Sequence, residues 1–256
     1  MTDPSTATFS LIPPRAAPGV TVRGARLLYE GVPLFDGFDF TLEPGQCTCL
    51  LGPSGVGKSS LVRLIAGLAT DSTGTVVADD GHPLADRIAL MAQQDLLLPW
   101  LSALDNTVLG SRLRLTPPPL AEAAALLTRL GLGAATHLRP AALSGGMRQR
   151  VALARTLMED RPVVLMDEPF SGLDAITRIR LQTLAAEELR GHTVLLVTHD
   201  PLEALRLGHR VFVMTGRPAR LSAPLMPAGT PPRDMGDPEI LRMQAELLRS
   251  LAAEAP

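Results

Sequence analysis

The sequence predicts an α/β fold, with a core of parallel strands and a mostly helical subdomain inserted into it. Continuous apolar runs at 47–51, 162–166 and 193–197 are typical of central parallel strands that are buried on both faces. A helical pattern at 176–189 lies between the last two runs, as alternating β and α elements require. From 94 to about 160, Leu, Ala and Arg recur at helical spacing, which indicates a helical insertion before the core resumes.

Length and charge narrow the class of protein. A chain of 256 residues suits one large domain or a domain with a subdomain. Its formal net charge of −2 gives no general attraction to nucleic acid or to an anionic membrane. No apolar run approaches the ~18 residues of a membrane span. The N-terminus lacks the basic start and apolar stretch of a secretory signal, so a cytosolic location is expected.

The elements of the N-terminal half follow from alternation and turn signals. Residues 1–19 are rich in Pro, Ala and Thr, which predicts a flexible leader. The patterns then predict strands at 20–28, 38–42, 75–77 and 87–92, with turns at 43–46 and 71–74. A helix is expected soon after the strand at 47–51, because Leu61, Leu64 and Ile65 recur at helical spacing.

The C-terminal part is predicted to complete the core and then leave it. A short helix at 201–207 and a final strand at 210–214 follow the run at 193–197. The chain is dense in proline from 224 to 238 and is expected to form a loop there. A terminal amphipathic helix is predicted over 238–251.

The two cysteines, Cys47 and Cys49, point to the same face of a predicted strand. An i, i+2 pair in an extended segment is poorly placed for a disulfide, and no further Cys or His lies nearby. Buried structural thiols are therefore expected, and a redox or metal pair is the alternative.

A glycine-rich loop follows the strand at 47–51 and reads G-x-x-x-x-G-K-S. Glycines allow positive φ and close backbone approach, so that successive N–H groups can cradle phosphate oxygens at a helix N-terminus. Lys58, the only lysine in the chain, is expected to bridge the β- and γ-phosphates, and the Ser59 hydroxyl to ligate Mg²⁺. The alternative is a glycine-rich turn that matches by chance. The candidate nucleotide-binding residues of the loop are Gly52, Pro53, Ser54, Gly55, Val56, Gly57, Lys58, Ser59 and Ser60.

Two acidic residues, Asp167 and Glu168, follow the apolar run 163–166. They are expected at the carboxyl end of a strand, where ligands of open α/β sheets bind. Asp167 is placed to hold Mg²⁺ through water, and Glu168 to polarise an attacking water for in-line hydrolysis. The alternative is an ordinary acidic turn that follows a strand and has no catalytic role.

A second anion site is predicted at Ser144, Gly145 and Gly146, which open the helix that continues through Val151 and Leu153. Alone, this segment would be an ordinary helix cap. One nucleotide cannot easily be wrapped by two such helix ends of the same chain, so the pattern indicates two subunits with the triphosphate between them.

These segments resemble those of the ATP-binding-cassette (ABC) ATPases, over about residues 20–220. GPSGVGKSS is similar to the Walker A segment, LSGGMRQR to the signature, and VVLMDEP to Walker B with the catalytic glutamate. SGLD, which ends at Asp174, resembles the D-loop. VTHD resembles the switch segment, which implies that His199 touches the γ-phosphate.

The resemblance implies a fold and domain boundaries. It implies a P-loop NTPase (RecA-like) core, an antiparallel β subdomain and an inserted α-helical subdomain at about 94–160. The ATPase domain would span 20–223, with the Pro-rich segment and C-terminal helix at 224–256 outside it.

Two further site residues follow from the resemblance. Gln93 and Gln94 both stand where the family carries its Q-loop glutamine, a Mg²⁺ contact, and counting back from LLPW at 97–100 selects Gln93 over Gln94. Tyr29, the only tyrosine, lies where the family places an aromatic ring that stacks on adenine. A core tyrosine is the alternative.

The resemblance is closest to importers of nitrate, sulfonate, taurine and pyrimidine precursors, through LLPW, LSGGMRQR, the run at 203–220 and the C-terminal pattern. It implies an ATPase homodimer or pseudo-dimer that binds ATP and Mg²⁺, peripheral to the cytoplasmic face of the inner membrane. Separate permease subunits and a periplasmic solute-binding protein would complete the transporter. A thiamine-precursor pyrimidine or an alkylsulfonate is the expected solute. The alternatives are a soluble cassette ATPase acting on DNA or ribosomes and an inactive regulatory module, and no nucleic-acid partner is expected.

Overall fold

A computed structural model describes residues 17–253 of the chain. Its strands are β1 (Val20–Tyr29), β2 (Val32–Leu42), β3 (Cys47–Leu51), β4 (Ser72–Ala78), β5 (Ile88–Met91), β6 (Val163–Asp167), β7 (Thr193–Val197), β8 (Arg210–Thr215) and β9 (Arg220–Leu221). Its α-helices are α1 (Lys58–Ile65), α2 (Ala103–Thr107), α3 (Leu109–Leu113), α4 (Leu120–Arg129), α5 (Gly145–Leu157), α6 (Ala175–Glu188), α7 (Pro201–Leu207) and α8 (Pro238–Ala253). Two 3₁₀ turns, Gly133–Ala135 and Pro140–Ala142, lead into α5.

The strands form two sheets. A three-stranded antiparallel sheet has the order β2-β1-β4, and a six-stranded sheet has the order β5-β6-β7-β3-β8-β9. In the larger sheet, β5, β6, β7, β3 and β8 pair in parallel, and β9 is antiparallel to β8. The predicted α/β fold with a separate antiparallel β subdomain is confirmed. Helices α2 to α5 are inserted between β5 and β6, which are neighbours in the sheet.

The central strands are buried because both faces of the larger sheet are covered. All five residues of β6 and all five of β7 are buried. Alternate side chains enter two different cores: Leu165 and Leu195 pack with the antiparallel sheet and α1, whereas Val164 and Leu196 pack with α5, α6 and α7. This two-sided burial explains the continuous apolar runs in the sequence.

Two strands start earlier than predicted. Strand β2 begins at Val32, not at 38, because Glu30 and Gly31 form a two-residue turn at positive φ that pairs Tyr29 with Val32. Strand β4 begins at Ser72, so the predicted turn at 71–74 is wrong. Gly74 is accommodated within β4 because it crosses β1 closely, and a Cβ there would lie 2.8 Å from the Ala25 Cα.

The described ends of the chain are tied to the core. Residues 1–16 lie outside the described residues, and most of the predicted leader falls there. The Pro18 carbonyl accepts a hydrogen bond of 2.8 Å from the Thr193 hydroxyl. Helix α8 packs against α7. Among residues 17–253, no helix combines the length and the apolar character needed to cross a membrane.

The cysteines are free thiols, as expected. Their sulfurs lie 4.0 Å apart on one face of β3, and Cys49 is fully buried. Burial raises the pKa of the Cys49 thiol well above its usual value. Cys49 belongs to the core beneath the larger sheet, and the half-buried Cys47 packs against that core.

Candidate nucleotide-binding site

The glycine-rich loop connects β3 to α1 in a conformation that requires its glycines. Gly52, Gly55 and Gly57 have φ of +154°, +78° and +115°. At Gly52 a Cβ would also lie 2.4 Å from the Met214 carbonyl oxygen of β8, a separation that real Cβ atoms essentially never show. The loop is therefore seated directly against the neighbouring parallel strand. Gly57 caps the N-terminus of α1, where backbone N–H groups are free to meet an anion.

Lys58 is held over this loop. Its side chain is buried, and Nζ donates hydrogen bonds of 2.6 Å to the Gly52 carbonyl and 2.9 Å to the Pro53 carbonyl. Burial lowers the pKa of Lys58, and the nearby carboxylates of Glu168 and Asp167 act in the opposite direction. An ammonium group has three donors, so Lys58 can face a phosphate while it stays attached to its own loop.

Asp167 is the last residue of β6, which packs against α1. Burial raises the pKa of this carboxyl group, whereas a hydrogen bond from Ser59 lowers it. Strand β6 packs against α1, so Asp167 and Ser59 offer a carboxylate and a hydroxyl oxygen to the same region. Such oxygen donors are the ligands that Mg²⁺ prefers in proteins.

Glu168 adopts a strained backbone conformation with φ +51°, which is rare for a residue with a side chain. Its surroundings fix that conformation. The Glu168 N–H donates to the Val197 carbonyl at 2.8 Å, and its own carbonyl accepts from the Ser171 hydroxyl at 2.9 Å and from Gln149 Nε2 at 3.3 Å. Strain held by neighbouring hydrogen bonds is characteristic of functional positions.

The side chain of Glu168 meets the predicted switch histidine. His199 Nδ1 lies 3.3 Å from Glu168 Oε1, and the imidazole is 65% exposed whereas the carboxylate is 20% exposed. The pair stands at the carboxyl ends of β6 and β7, which are adjacent in the sheet.

Several predicted residues line one cavity of about 300 Å³ beside the loop. They are Tyr29, Ser54, Gly55, Gly57, Lys58, Ser59, Ser60, Gln93 and Glu168. Tyr29 is 64% exposed, so the alternative of a core tyrosine is wrong. Gln93 lines this cavity and also a neighbouring groove, whereas Gln94 lines the groove alone.

The signature and D-loop residues are placed elsewhere. Gly145 lines the neighbouring groove together with Gln93 and Gly172, not the cavity beside Lys58. Ser144 caps α5 by accepting a hydrogen bond of 3.2 Å from the Met147 N–H. Asp174 caps α6 in the same way, and its Oδ1 accepts from the Thr177 N–H at 2.9 Å. Within one chain these segments are helix caps and are not among the residues that line the cavity. Gly146, beside Gly145, packs against Leu173.

Sequence reasoning missed two residues of this region. Arg217, in the turn after β8, lines the cavity and donates from Nη2 to the Gly55 carbonyl at 3.1 Å. Gln149 is buried in α5, and its Nε2 donates to the Pro169 carbonyl at 3.1 Å as well as to Glu168. For Gln149 a buried polar residue on a helix was a detectable signal, but nothing in the sequence links Arg217 to a loop that far away.

Comparison with known proteins agrees with this geometry. The family model for ABC transporters matches residues 35–171. An uncharacterized ABC transporter ATP-binding protein of Haemophilus influenzae is 43% identical over 92% of this chain and 99% of that protein. An aliphatic sulfonates import ATP-binding protein, SsuB 2, of Burkholderia cenocepacia is 40% identical over 91% of this chain and 87% of its own length. SsuB 1 of Rhodococcus jostii is 41% identical over 91% of this chain and 93% of its own length.

A solved structure shares the architecture as well as part of the sequence. A dimeric ATP-binding cassette in a post-hydrolysis state, bound to ADP and Pi, superposes with a TM-score of 0.72 at 26% identity. The match covers 82% of this chain and 99% of that one. The family model spans more than half of the sequence, and the relatives match over nearly all of it. The chain therefore belongs to the ABC transporter family, as one of its ATP-hydrolysing cassettes.

Proposed function

We propose that this protein is the ATP-hydrolysing subunit of an importer for a small solute. One observation carries the proposal: a single cavity gathers the loop around Lys58, the exposed ring of Tyr29 and the carboxylate of Glu168. A nucleotide in this cavity would place its phosphates on the loop and its base on the tyrosine ring. Glu168 would then act as general base toward a water in line with the terminal phosphate, and His199 would contact that phosphate.

The oxygen donors next to Lys58 fit a magnesium ion. Ser59 and Gln93 would bind it directly and Asp167 through water, and when bound it would neutralise charge on the phosphates. Mg²⁺ usually takes one or two protein carboxylates together with substrate phosphates and water, and these three residues would supply the protein's share of that set.

The separation of the two predicted anion sites supports a dimer. Gly145 lies outside the cavity that holds Lys58, so one chain supplies only one side of a nucleotide site. In a two-fold dimer, Ser144, Gly145 and Gly146 of each subunit would close on the phosphates bound by the other. Asp174, at the D-loop, would lie between the two sites. The structural neighbour that carries ADP and Pi is itself dimeric.

Permease subunits would provide the path through the membrane. Large apolar side chains are exposed in the predicted helical subdomain and the segment leading into it: Leu96, Trp100, Leu113 and Leu115. Exposed apolar side chains of this size often mark protein interfaces. We place the protein at the cytoplasmic face of the inner membrane, with a periplasmic solute-binding protein delivering the solute to the permease. The names of the relatives favour an aliphatic sulfonate as that solute.

Complementation between variants tests the composite site. Lys58→Ala removes the loop amine and Ser144→Arg blocks the signature turn, so each variant alone should lose ATPase activity. In an equimolar mixture, half of the dimers would carry one intact site, and activity should return to as much as about a quarter of the wild-type value. Mixed dimers that form but stay inactive would contradict the composite site.

Co-purification separates the importer from a soluble cassette that acts on nucleic acid or ribosomes. A tagged Glu168→Gln protein, expressed in cells that make the proposed permease subunits from their own genes, should recover polytopic membrane proteins. Recovery of ribosomes or nucleic acid without membrane proteins would overturn the transport assignment.

A further inference from the structure

A cationic side chain that no ABC motif includes lies in the candidate nucleotide cavity. Arg217 stands in the turn between β8 and β9, and its guanidinium lines the cavity together with Gly55, Lys58 and Tyr29. We propose that Arg217 is a second phosphate-binding cation, which contacts the anionic part of the bound nucleotide beside the loop at Gly55. This inference rests on the proposed nucleotide site.

The turn that carries Arg217 is fixed against the loop. Strand β8 runs beside β3, and the absence of a Cβ at Gly52 lets the Met214 carbonyl approach the loop. Two residues beyond Arg217, the Ala219 N–H donates to the Leu34 carbonyl of β2 at 2.8 Å. The backbone of the turn is therefore held between two walls of the cavity, which keeps the Arg217 side chain within reach of the loop.

Most N–H donors of the Arg217 guanidinium are available to a ligand. Among the described residues, its hydrogen bond is the one from Nη2 to the Gly55 carbonyl, and no carboxylate forms an ion pair with it. Arginine has five N–H donors in a planar fork that matches phosphate geometry. The side chain is exposed at the cavity, so the remaining donors can meet a ligand without a change of the fold.

Charge in the cavity supports an anionic ligand at this place. Lys58 is the only other cation among its lining residues, and Glu168 is the only carboxylate. Lys58 already uses two donors on the carbonyls of Gly52 and Pro53. A polyphosphate brings more negative charge than one lysine neutralises, and Arg217 would supply a second charge-assisted contact.

The competing explanation is that Arg217 only braces the loop through the Gly55 carbonyl. Three variants separate the two roles. Arg217→Gln keeps a side-chain donor for that carbonyl but removes the charge, Arg217→Lys keeps the charge but loses the fork, and Arg217→Ala removes both. Arg220→Ala, at an exposed position of β9 outside the cavity, is the matched control.

The experiment is equilibrium binding of MgATP and MgADP by calorimetry, at low and high salt, together with thermal unfolding of each variant. We expect Arg217→Ala and Arg217→Gln to raise the Kd for MgATP about tenfold, with a weaker salt dependence than wild type. Arg217→Lys should lose less affinity than Arg217→Ala, and Arg220→Ala should bind MgATP as the wild type does. The affinity for MgADP should fall less than the affinity for MgATP, because MgADP carries less negative charge.

Two results would overturn the inference. If Arg217→Ala binds MgATP with wild-type affinity, Arg217 does not contact the nucleotide. If Arg217→Gln binds MgATP as the wild type does but Arg217→Lys does not, Arg217 only braces the loop. A failure of the proposed function is distinguishable, because then the wild-type protein would not bind MgATP and Lys58→Ala would behave like wild type.

Discussion

Glu168 and His199 form a contact of 3.3 Å between Oε1 and Nδ1, although they follow different strands, β6 and β7, and lie 31 positions apart in the sequence. The backbone of Glu168 is anchored to β7 through the Val197 carbonyl, two residues before His199. The contact between the side chains thus adds to a backbone link between the same two segments. This coupling places the proposed base and the proposed phosphate sensor in one unit.

Replacement of the carboxylate tests the role of Glu168. Glu168→Gln keeps the shape and the hydrogen bonds of the backbone but cannot accept a proton, so ATP turnover should fall by about 10² or more. Binding of MgATP should persist, and the ATP-bound dimer should accumulate in size-exclusion chromatography. Glu239→Gln, exposed on α8, is the control. Steady hydrolysis by purified Glu168→Gln, with contaminating ATPases excluded, would show that another group is the base.

The close approach at Gly52 makes a different variant informative. Gly52→Ala would place a methyl group 2.4 Å from the Met214 carbonyl oxygen in a conformation that side chains rarely adopt. We expect the free energy of unfolding to fall by about 2 kcal/mol and nucleotide binding to weaken. Gly236→Ala, where the added carbon would meet nothing nearer than 3.5 Å, should change neither quantity. Unchanged denaturation of Gly52→Ala would mean that the loop can withdraw from β8.

Glu203 gives stability a pH dependence. This carboxyl group is buried between α6 and α7, and Gln182 Nε2 donates to its Oε2 at 2.9 Å. Burial raises its pKa from 4.5 to about 7, with a smaller contribution from Asp200 in the same direction; hydrogen bonds from Thr198 and Gln182 and the charge of Arg178 oppose the rise. The folded protein holds a proton that the unfolded chain releases, so stability is lost as pH rises from about 4.5 toward about 7.

Glu203→Gln should remove this dependence, because an amide does not titrate. Relative to wild type, the free energy of unfolding of the variant should rise by about 2 kcal/mol between about pH 5 and about pH 8. Urea denaturation at a series of pH values measures the difference. Parallel curves for the two proteins would show that Glu203 keeps an ordinary pKa in the fold.

Arg233 fastens the proline-rich segment to α7. Its buried guanidinium donates to the backbone carbonyls of Leu205, Gly208, Pro227, Ala228 and Gly229. Arg233→Met keeps much of the apolar stem but leaves these carbonyls without their donor, and the free energy of unfolding should fall by about 3 kcal/mol. Arg249→Ala, exposed on α8, should have little effect. Retained stability in Arg233→Met, measured by denaturant titration, would show that water replaces the guanidinium.

The parts of the site that local sequence determines were predictable, and the parts that depend on tertiary contacts were not. The loop around Lys58 is specified by adjacent glycines, and Glu168 by its position behind an apolar run, so their place in one cavity follows from local patterns. Arg217 reaches that cavity because β8 happens to lie beside β3, a relation between strands that no local pattern encodes. Strand β2 was shortened in the prediction because Pro33 and Gly37 interrupt its pattern, whereas pairing with β1 overrides them. The assignment of nucleotide and metal contacts to these residues stays a prediction.

Because the chain has one lysine, the chemical reactivity of that amine can report whether the cavity is occupied. The ε-amine of Lys58 is nearly covered and donates to two loop carbonyls, and burial lowers its pKa. Lys58 is the one lysine of the sequence, so peptide mapping after acylation has a single side-chain amine to follow beside the terminal amine. The rate at which Lys58 is acylated should fall when MgATP fills the cavity, and the rate therefore reports the fraction of occupied sites.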